Sequence, residues 1–249
     1  MSGKVYLVGI GPGSMDNMTV RAVKVLEGVP VVIGHRYCLG LIDEVIAGKE
    51  IIAEEMTPVE RSEIAAARAL AGEDAAIVTI GDAGIYAIAS IFFSYLAAKG
   101  IKIPVEVVPG VTIASAAAAL LGSPLGNDFA AVSLADMANS WDSTRRRLKL
   151  AAEAGFIIIL YNPKGKTEND ERLREAVAIL MNYRETSTAV GVVTNASVGA
   201  EEVQITTLGE LMNCHISAQK TILIIGNSGT FVFDGRMVAP REYKKGVGY

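Results

Sequence analysis

Four short apolar runs in the first half of the chain end in glycine, and the loops they feed are the segments best suited to hold a ligand. They are Gly9-Ile10-Gly11-Pro12-Gly13, Gly34, Gly81-Asp82-Ala83-Gly84 and Pro109-Gly110-Val111-Thr112. Glycine lets a backbone approach a bound molecule closely, and in open parallel sheets ligands settle outside the carboxyl ends of the strands. One such loop is an ordinary turn; four in succession point to a cleft. Asp82 has two readings, contact with the ligand or a cap for a helix starting at Ile85. Thr112 and Ser115 likewise either face the ligand or cap the helix that follows them.

A dinucleotide is the obvious competitor, and the loop fits it poorly. Gly9 and Gly11 match a Gly-x-Gly-x-x-Gly pattern, but Ser14 stands at the third position. Pro12 removes an N–H where a pyrophosphate would need one. The second run ends Gly34-His35-Arg36, without the acidic residue that holds an NAD ribose, so only an NADP-dependent oxidoreductase survives, through Arg36. No Ser/His/Asp set is evident. Cys38 and Cys214 with His35 and His215 make a poor metal site, because adjacent Cys-His side chains diverge; no metal is expected.

The elements that must position these loops alternate. Strands are expected at Lys4–Ile10, Val29–Ile33, Glu50–Ala53, Ala75–Ile80 and Val105–Val108, and helices at Val20–Glu27, Val59–Ala71, Ile85–Lys99 and Ile113–Leu121. Beyond the turn-rich Gly122-Ser123-Pro124-Leu125-Gly126-Asn127, strands are expected at Ala130–Leu134, Phe156–Leu160, Ala189–Val193 and Thr221–Ile225, with an added strand at Val203–Thr206. Helices are expected near Asp142–Glu153, Glu168–Tyr183 and Leu208–Asn213. The fold class is therefore α/β: two α/β/α domains with mostly parallel sheets and a ligand cleft between them, 1–120 and 121–249.

Composition narrows the partners. Hydrophobic residues make up 51% of the 249, which excludes a disordered chain and raises a membrane reading. The longest uncharged stretch, Val107 to Asn127, is broken by two prolines and three glycines, so it is no spanning helix. The apolar start, Val5–Ile10, is too short for a signal peptide. Two distant cysteines fit a reducing compartment, and a cytoplasmic protein is expected. A net charge of −4 disfavours nucleic acid. Arg145-Arg146-Arg147 with Lys149 is a solvated helix face or a site for a polyanionic small molecule; Lys244-Lys245 is the other basic run.

The set Val8-Gly9-Ile10-Gly11-Pro12-Gly13, Gly81-Asp82-x-Gly84-Ile85-Tyr86 and Val108-Pro109-Gly110-Val111-Thr112-x-Ala114-Ser115-Ala116 resembles the tetrapyrrole (corrin/porphyrin) methyltransferase family. Pro124-Leu125-Gly126-Asn127-Asp128-Phe129-Ala130, Ser133-Leu134 with Trp141, Leu160-Tyr161-Asn162-Pro163-Lys164, Ile225-Gly226-Asn227-Ser228 and Asp234-Gly235-Arg236-Met237-Val238 are similar to its precorrin-3B C17-methyltransferase subgroup. Two departures are Ala83, where the family usually has proline, and Ala87, where it often has glycine. The subgroup also usually has an aromatic residue near His35.

The resemblance implies S-adenosylmethionine as the methyl donor, a tetrapyrrole (precorrin) substrate and a homodimer. It implies that Gly11, Pro12, Gly81, Asp82, Ile85, Thr112, Ser115, Leu134, Tyr161, Asn162, Ala196 and Thr221 line the cofactor site, although Tyr161 also suits a plain core. It implies methylation at C17 of precorrin-3B or cobalt-precorrin-3 with ring contraction, in cobalamin biosynthesis. Ring contraction moves protons, and His35 is the candidate acid or base. Substrate carboxylates would meet Arg36, Arg61 or Arg145–Arg147. Relatives that act at other corrin positions or on a protein (diphthine synthase-like) share the first-half motifs, so only the second half separates them.

Overall fold

In the computed structural model, residues 2–135, 140–164, 171–217 and 220–241 are described. The chain divides into two compact units, Met1–Ile113 and Ala114–Tyr249.

The first unit runs β1 (Val5–Gly9), α1 (Val20–Gly28), β2 (Val31–Ile33), α2 (Arg36–Gly40), β3 (Glu50–Ile52), α3 (Pro58–Leu70), β4 (Ala75–Thr79), α4 (Ile88–Lys99) and β5 (Val105–Val108). Its sheet is ordered β3-β2-β4-β1-β5, and every pairing is parallel. The near-continuous Val/Ile/Ala runs are what a sheet covered on both faces requires. Side chains alternate between the two covers. Val5, Leu7, Val31, Ile33, Ala75 and Ile77 join one core with α3 and α4, while Val8, Val32, Ala76 and Val78 join the other with α1 and α2. All five carboxyl ends therefore lie along one edge, where the glycine loops are.

Local signals set the helix ends. Thr19 caps α1, and Thr57 with Glu60 forms a reciprocal capping box at the start of α3, with Pro58 as its first residue. Helix α4 starts three residues later than the sequence suggests, at Ile88, because Tyr86 adopts φ +50° and interrupts the helical backbone. The short helix α2 was not expected.

At the amino-end edge, Lys4 Nζ meets Glu106 Oε2 at 2.6 Å, and Arg21 pairs with the other carboxylate oxygen. Lys4 first, then Arg21, holds the Glu106 carboxyl below its usual value near 4.5. A depressed carboxyl stabilises the fold above its ordinary pKa, and this contribution fades as the pH falls through the folded value. Glu106→Gln is therefore expected to be less stable than wild type at pH 7. The gap should close on acidification below pH 4.5, as read by urea denaturation at a series of pH values.

The second unit takes α5 (Ile113–Leu121) beyond its first residue. It continues with β6 (Gly122–Ser123), β7 (Phe129–Ser133), α6 (Trp141–Glu153), β8 (Ile157–Tyr161), α7 (Glu171–Leu180), β9 (Ala189–Thr194), β10 (Glu202–Thr207), β11 (Thr221–Ile225), β12 (Phe231–Phe233) and β13 (Arg236–Val238). Helix α5 belongs here because Leu121 packs into the space left by Gly191 in β9, where a Cβ would lie 2.8 Å from Leu121 Cδ2.

The second sheet is ordered β10-β9-β11-β8-β7. Here the parallel pair is β7–β8, and the β8–β11, β11–β9 and β9–β10 pairs are antiparallel, so the expected mostly parallel pairing is concentrated in the first sheet. The reason is in the connections. Helices α6 and α7 carry β7, β8 and β9 in one direction, but residues 195–201 join β9 to β10 without a helix, and a short link makes an antiparallel pair. Strand β11 then inserts between β8 and β9. Of the helix expected over Leu208–Asn213, one 3₁₀ turn forms, Leu211–Asn213. The start of the expected helix Glu168–Tyr183 and the Lys244-Lys245 run lie outside the described residues. No helix among the described residues is long and apolar enough to cross a membrane.

Candidate functional site

In the first unit, the loops after β1, β4 and β5 are bonded to one another. Gly11 and Gly81 form an isolated antiparallel bridge, Gly11 N–H donating to Gly81 O at 3.1 Å and Gly81 N–H to Gly11 O at 2.7 Å. Both glycines have positive φ, +74° and +73°. Asp82 accepts from Gly84 N–H through Oδ1 at 2.8 Å and from Gly110 N–H through Oδ2 at 3.1 Å. Thr19 Oγ1, while capping α1, donates to Pro109 O at 3.2 Å. The packing is tight enough to exclude side chains: a Cβ on Gly9 would lie 2.6 Å from Gly81 O and 2.8 Å from Gly110 N.

This geometry changes the reading of Asp82. It does not cap α4, whose first residue is Ile88 and whose N-cap, Ala87, has no side-chain bond. Instead it ties the β4 loop to the β5 loop. Gly11, Pro12 and Gly81 are buried, Ile85 is exposed, Thr112 is half-buried after β5, and Ser115 is exposed in the first turn of α5.

The second-unit candidates also share one edge. Because β7, β8 and β9 run together and β11 runs against them, the ends of the first three meet the start of the last. Ser133 pairs with Tyr161 and Thr194 with Thr221. Leu134 N–H donates to Tyr161 O at 2.9 Å, and Asn162 Nδ2 donates to Ser133 Oγ at 3.2 Å. Leu134, Ala196 and Thr221 are buried and Tyr161 half-buried. Thr221 spends its hydroxyl inside the protein, 2.8 Å from Thr194 Oγ1, and also accepts from Ser217 N–H at 3.1 Å.

Left-handed residues mark the same edges. Tyr86 lies beyond β4, Asn162 beyond β8, and Asn195 and Ser197 beyond β9, with φ of 50°, 50°, 55° and 63°. A non-glycine residue in this region costs about 1–3 kcal/mol, and such strain gathers where backbone groups must face a ligand. The sequence reading chose Ala196 but passed over the two strained residues on either side of it; Asn, tolerant of this region, was the available signal.

His35 caps α2, with Nδ1 accepting from Tyr37 N–H at 3.2 Å. The ring is exposed at the carboxyl end of β2. Cys38 is buried, and burial pushes its thiol up. Among the described residues no group of three or more His, Cys, Asp or Glu gathers in a way that could hold a metal. Of the basic run, Arg145 is engaged, with Nη1 2.8 Å from Glu175 Oε1 and a second ion pair to Asp142. The hairpin β12–β13 was missed as structure; Asp234-Gly235, both at positive φ, is its turn and was the readable signal.

Comparison with known proteins adds the family. A model of the tetrapyrrole (corrin/porphyrin) methylases matches residues 4–212. A Salmonella typhimurium protein named probable cobalt-factor III C(17)-methyltransferase is 35% identical over 95% of this chain and 98% of its own. The cobalt-factor III methyltransferase of Priestia megaterium is 35% identical over 98% of this chain, which spans only 46% of that longer protein. The crystal structure of the methyltransferase CobJ superposes with a TM-score of 0.88 at 25% identity, over 96% of this chain and all of that one. A Thermus thermophilus uroporphyrin-III C-methyltransferase complexed with S-adenosylhomocysteine gives 0.70 at 25% identity, over 90% and 97%. With motifs, sheet edges and a family match over most of its length in agreement, the chain belongs to the tetrapyrrole (corrin/porphyrin) methylases.

Proposed function

We propose that this chain is an S-adenosylmethionine-dependent methyltransferase that methylates C17 of a cobalt-factor III or precorrin-3B type macrocycle, with ring contraction, on the route to cobalamin. The observation that carries the reading is 35% identity to the Salmonella protein named probable cobalt-factor III C(17)-methyltransferase, over 95% of this chain and 98% of that one.

The donor set suits the cofactor. Of the twelve candidate residues only Asp82 is charged, and it is an acid, which favours a sulfonium cation over the anionic phosphates of NADP. Gly11, Pro12, Gly81, Asp82, Ile85 and Thr112 from the first unit would hold it, with Ser115, Leu134, Tyr161, Asn162, Ala196 and Thr221 from the second. When bound, the sulfonium supplies an electrophilic methyl group, and an electron-rich ring carbon is the nucleophile. The protein therefore needs no nucleophile of its own; its loops hold the reactants in line and exclude water.

Asp82 acts chiefly by fixing the β4 and β5 loops. His35, with Nδ1 occupied as an acceptor, carries its neutral-state proton on Nε2 and is poised to donate to an oxygen. A role as base at Nε2 would require the cap to break. Phe231, Val232 and Phe233 on β12 and Val203 on the edge strand β10 are exposed apolar side chains. They support a homodimer in which part of this surface is covered. The cytoplasmic reading stands on the sparse cysteines.

Calorimetric titration with S-adenosylhomocysteine, against NADP as control, tests the cofactor. Saturable binding of the first alone is the expected result, followed by methylation of cobalt-factor III at C17. Binding of NADP alone would overturn the reading.

A further inference from the structure

We infer that Arg61 is the first-unit residue that receives a carboxylate of the bound macrocycle, an inference that rests on the tetrapyrrole reading above. Five arginines compete for that role, and the structure separates them: Arg146 and Arg147 are exposed on α6 of the second unit. Arg145 is already paired with Glu175 and Asp142. Arg36 is an exposed side chain on the five-residue helix α2. Arg61 differs from the others: its Nε is buried and has no hydrogen-bond partner, while Nη2 donates to Met56 O at 2.8 Å. No carboxylate among the described residues forms an ion pair with it.

A buried guanidinium N–H without an acceptor is disfavoured, and native structures seldom keep one without a reason. The side chain is placed with care. Arg61 sits in the first turns of α3, whose start is locked by the Thr57–Glu60 capping box and Pro58. Helix α3 leaves the carboxyl end of β3, so this turn stands at the edge of the sheet that carries the glycine loops. The Arg61 charge also favours the thiolate form of Cys38 in α2, the helix at the carboxyl end of β2.

The chemistry matches the substrate class. Tetrapyrroles of this route carry several carboxylates, and a guanidinium presents parallel N–H groups that a carboxylate accepts in pairs. With Nη2 braced by Met56, the fork is oriented before the ligand arrives. The uncommitted donors gain acceptors only on binding.

The test compares wild type with Arg61→Met, Arg61→Lys and Arg36→Met, all checked by thermal unfolding. Cobalt-factor III binding is followed by absorbance titration at two salt concentrations, and S-adenosylhomocysteine binding by calorimetry. Arg61→Met is expected to bind cobalt-factor III about 10- to 100-fold more weakly, the usual effect of losing a charge-assisted pair. The salt dependence should weaken with it, because one charge has left the site. Its KM for the macrocycle should rise more than its kcat falls, and S-adenosylhomocysteine affinity should not change. Arg61→Lys should recover part of the loss, and Arg36→Met should match wild type.

Equal affinity and equal salt dependence in wild type and Arg61→Met would overturn the inference while leaving the tetrapyrrole reading intact. Should Arg61→Met fail to fold, Arg61→Lys decides: an unchanged salt dependence with affinity lost only in proportion to unfolded protein overturns it too. Wild type that binds S-adenosylhomocysteine but no cobalt-factor III overturns the tetrapyrrole reading and this inference together.

Discussion

Gly110→Ala is expected to lower S-adenosylhomocysteine affinity at least about 100-fold. The added Cβ would lie 2.7 Å from Gly9 O and closer still to Gly81 O. Both obstacles are backbone atoms of neighbouring loops, so no side-chain rotation can relieve the overlap. Overpacking in a close-packed interior costs about 1–3 kcal/mol, and the rigidity of these partners argues for the upper end. The structural response is equally constrained. For the loop after β5 to move outward, Gly110 N–H must leave Asp82 Oδ2, and Asp82 then loses the bond that ties the β4 loop to the β5 loop. The Gly11–Gly81 bridge packs against the same glycines and would open with it. Loss of near-attack positioning converts directly into lost binding and rate.

Gly28→Ala is the matched control: nothing lies within 4 Å of its added Cβ. It should bind S-adenosylhomocysteine as wild type does. Calorimetry on both variants reads the difference, and undiminished affinity in Gly110→Ala would show that the laced loops do not form the cofactor site.

What the sequence made legible follows from which interactions were local. The bounds expected for helix α5 and strand β11 match residue for residue, because an Ala/Leu-rich run and an Ile/Leu-rich run leave one period each. The start of α4 was misplaced because Ile85 and Tyr86 are apolar and look helical. The positive φ of Tyr86 is set by its loop, and no residue type announces it. The role of Asp82 was unreadable for a stronger reason: its partner Gly110 is 28 residues away, and a backbone amide leaves no mark in composition. Which strands of the second sheet pair antiparallel was not legible, because past β9 the helices that imply parallel neighbours stop. Yet that inserted β11 explains why Thr221, at a strand's beginning, falls beside Thr194 at a strand's end. The second-unit candidates singled out from sequence are thus brought to one end of the sheet by a topology that sequence alone did not show.

Arg184→Met is the counterpart at the opposite edge of the second sheet, where the expected loss is of stability alone. Arg184 lies in the link between α7 and β9. Its Nη1 donates to Ala152 O at 2.7 Å and Tyr183 O at 3.0 Å, Nη2 to Phe156 O at 2.9 Å, and Nε to Gly226 O at 3.3 Å. Apart from Tyr183 O, on the preceding residue, these carbonyls belong to the last turn of α6, the entrance to β8 and the exit of β11, so one side chain braces the ends of three elements. Burial lowers its proton affinity, but a guanidinium stays charged at any working pH, so no pH dependence is expected between 5 and 9. Methionine keeps most of the stem and removes every donor. Hydrogen bonds to a charged donor contribute about 1.5–3 kcal/mol each but are not additive, and the side chain is only partly buried, so about 3 kcal/mol is expected in total. For a chain of this length that corresponds to roughly 6–12 °C in Tm. Arg184→Lys should recover little, because one ammonium cannot reach carbonyls on three elements in a fork geometry. The affinity of the folded protein for S-adenosylhomocysteine should stay within about twofold, since Tyr161, Thr194 and Thr221 lie at the other ends of the same strands. A scanning calorimeter and a titration calorimeter together decide it. If Arg184→Met lost affinity while keeping its Tm, the division of this sheet into a binding edge and a stabilising edge would be wrong, because β-strands this short would then be transmitting strain along their whole length.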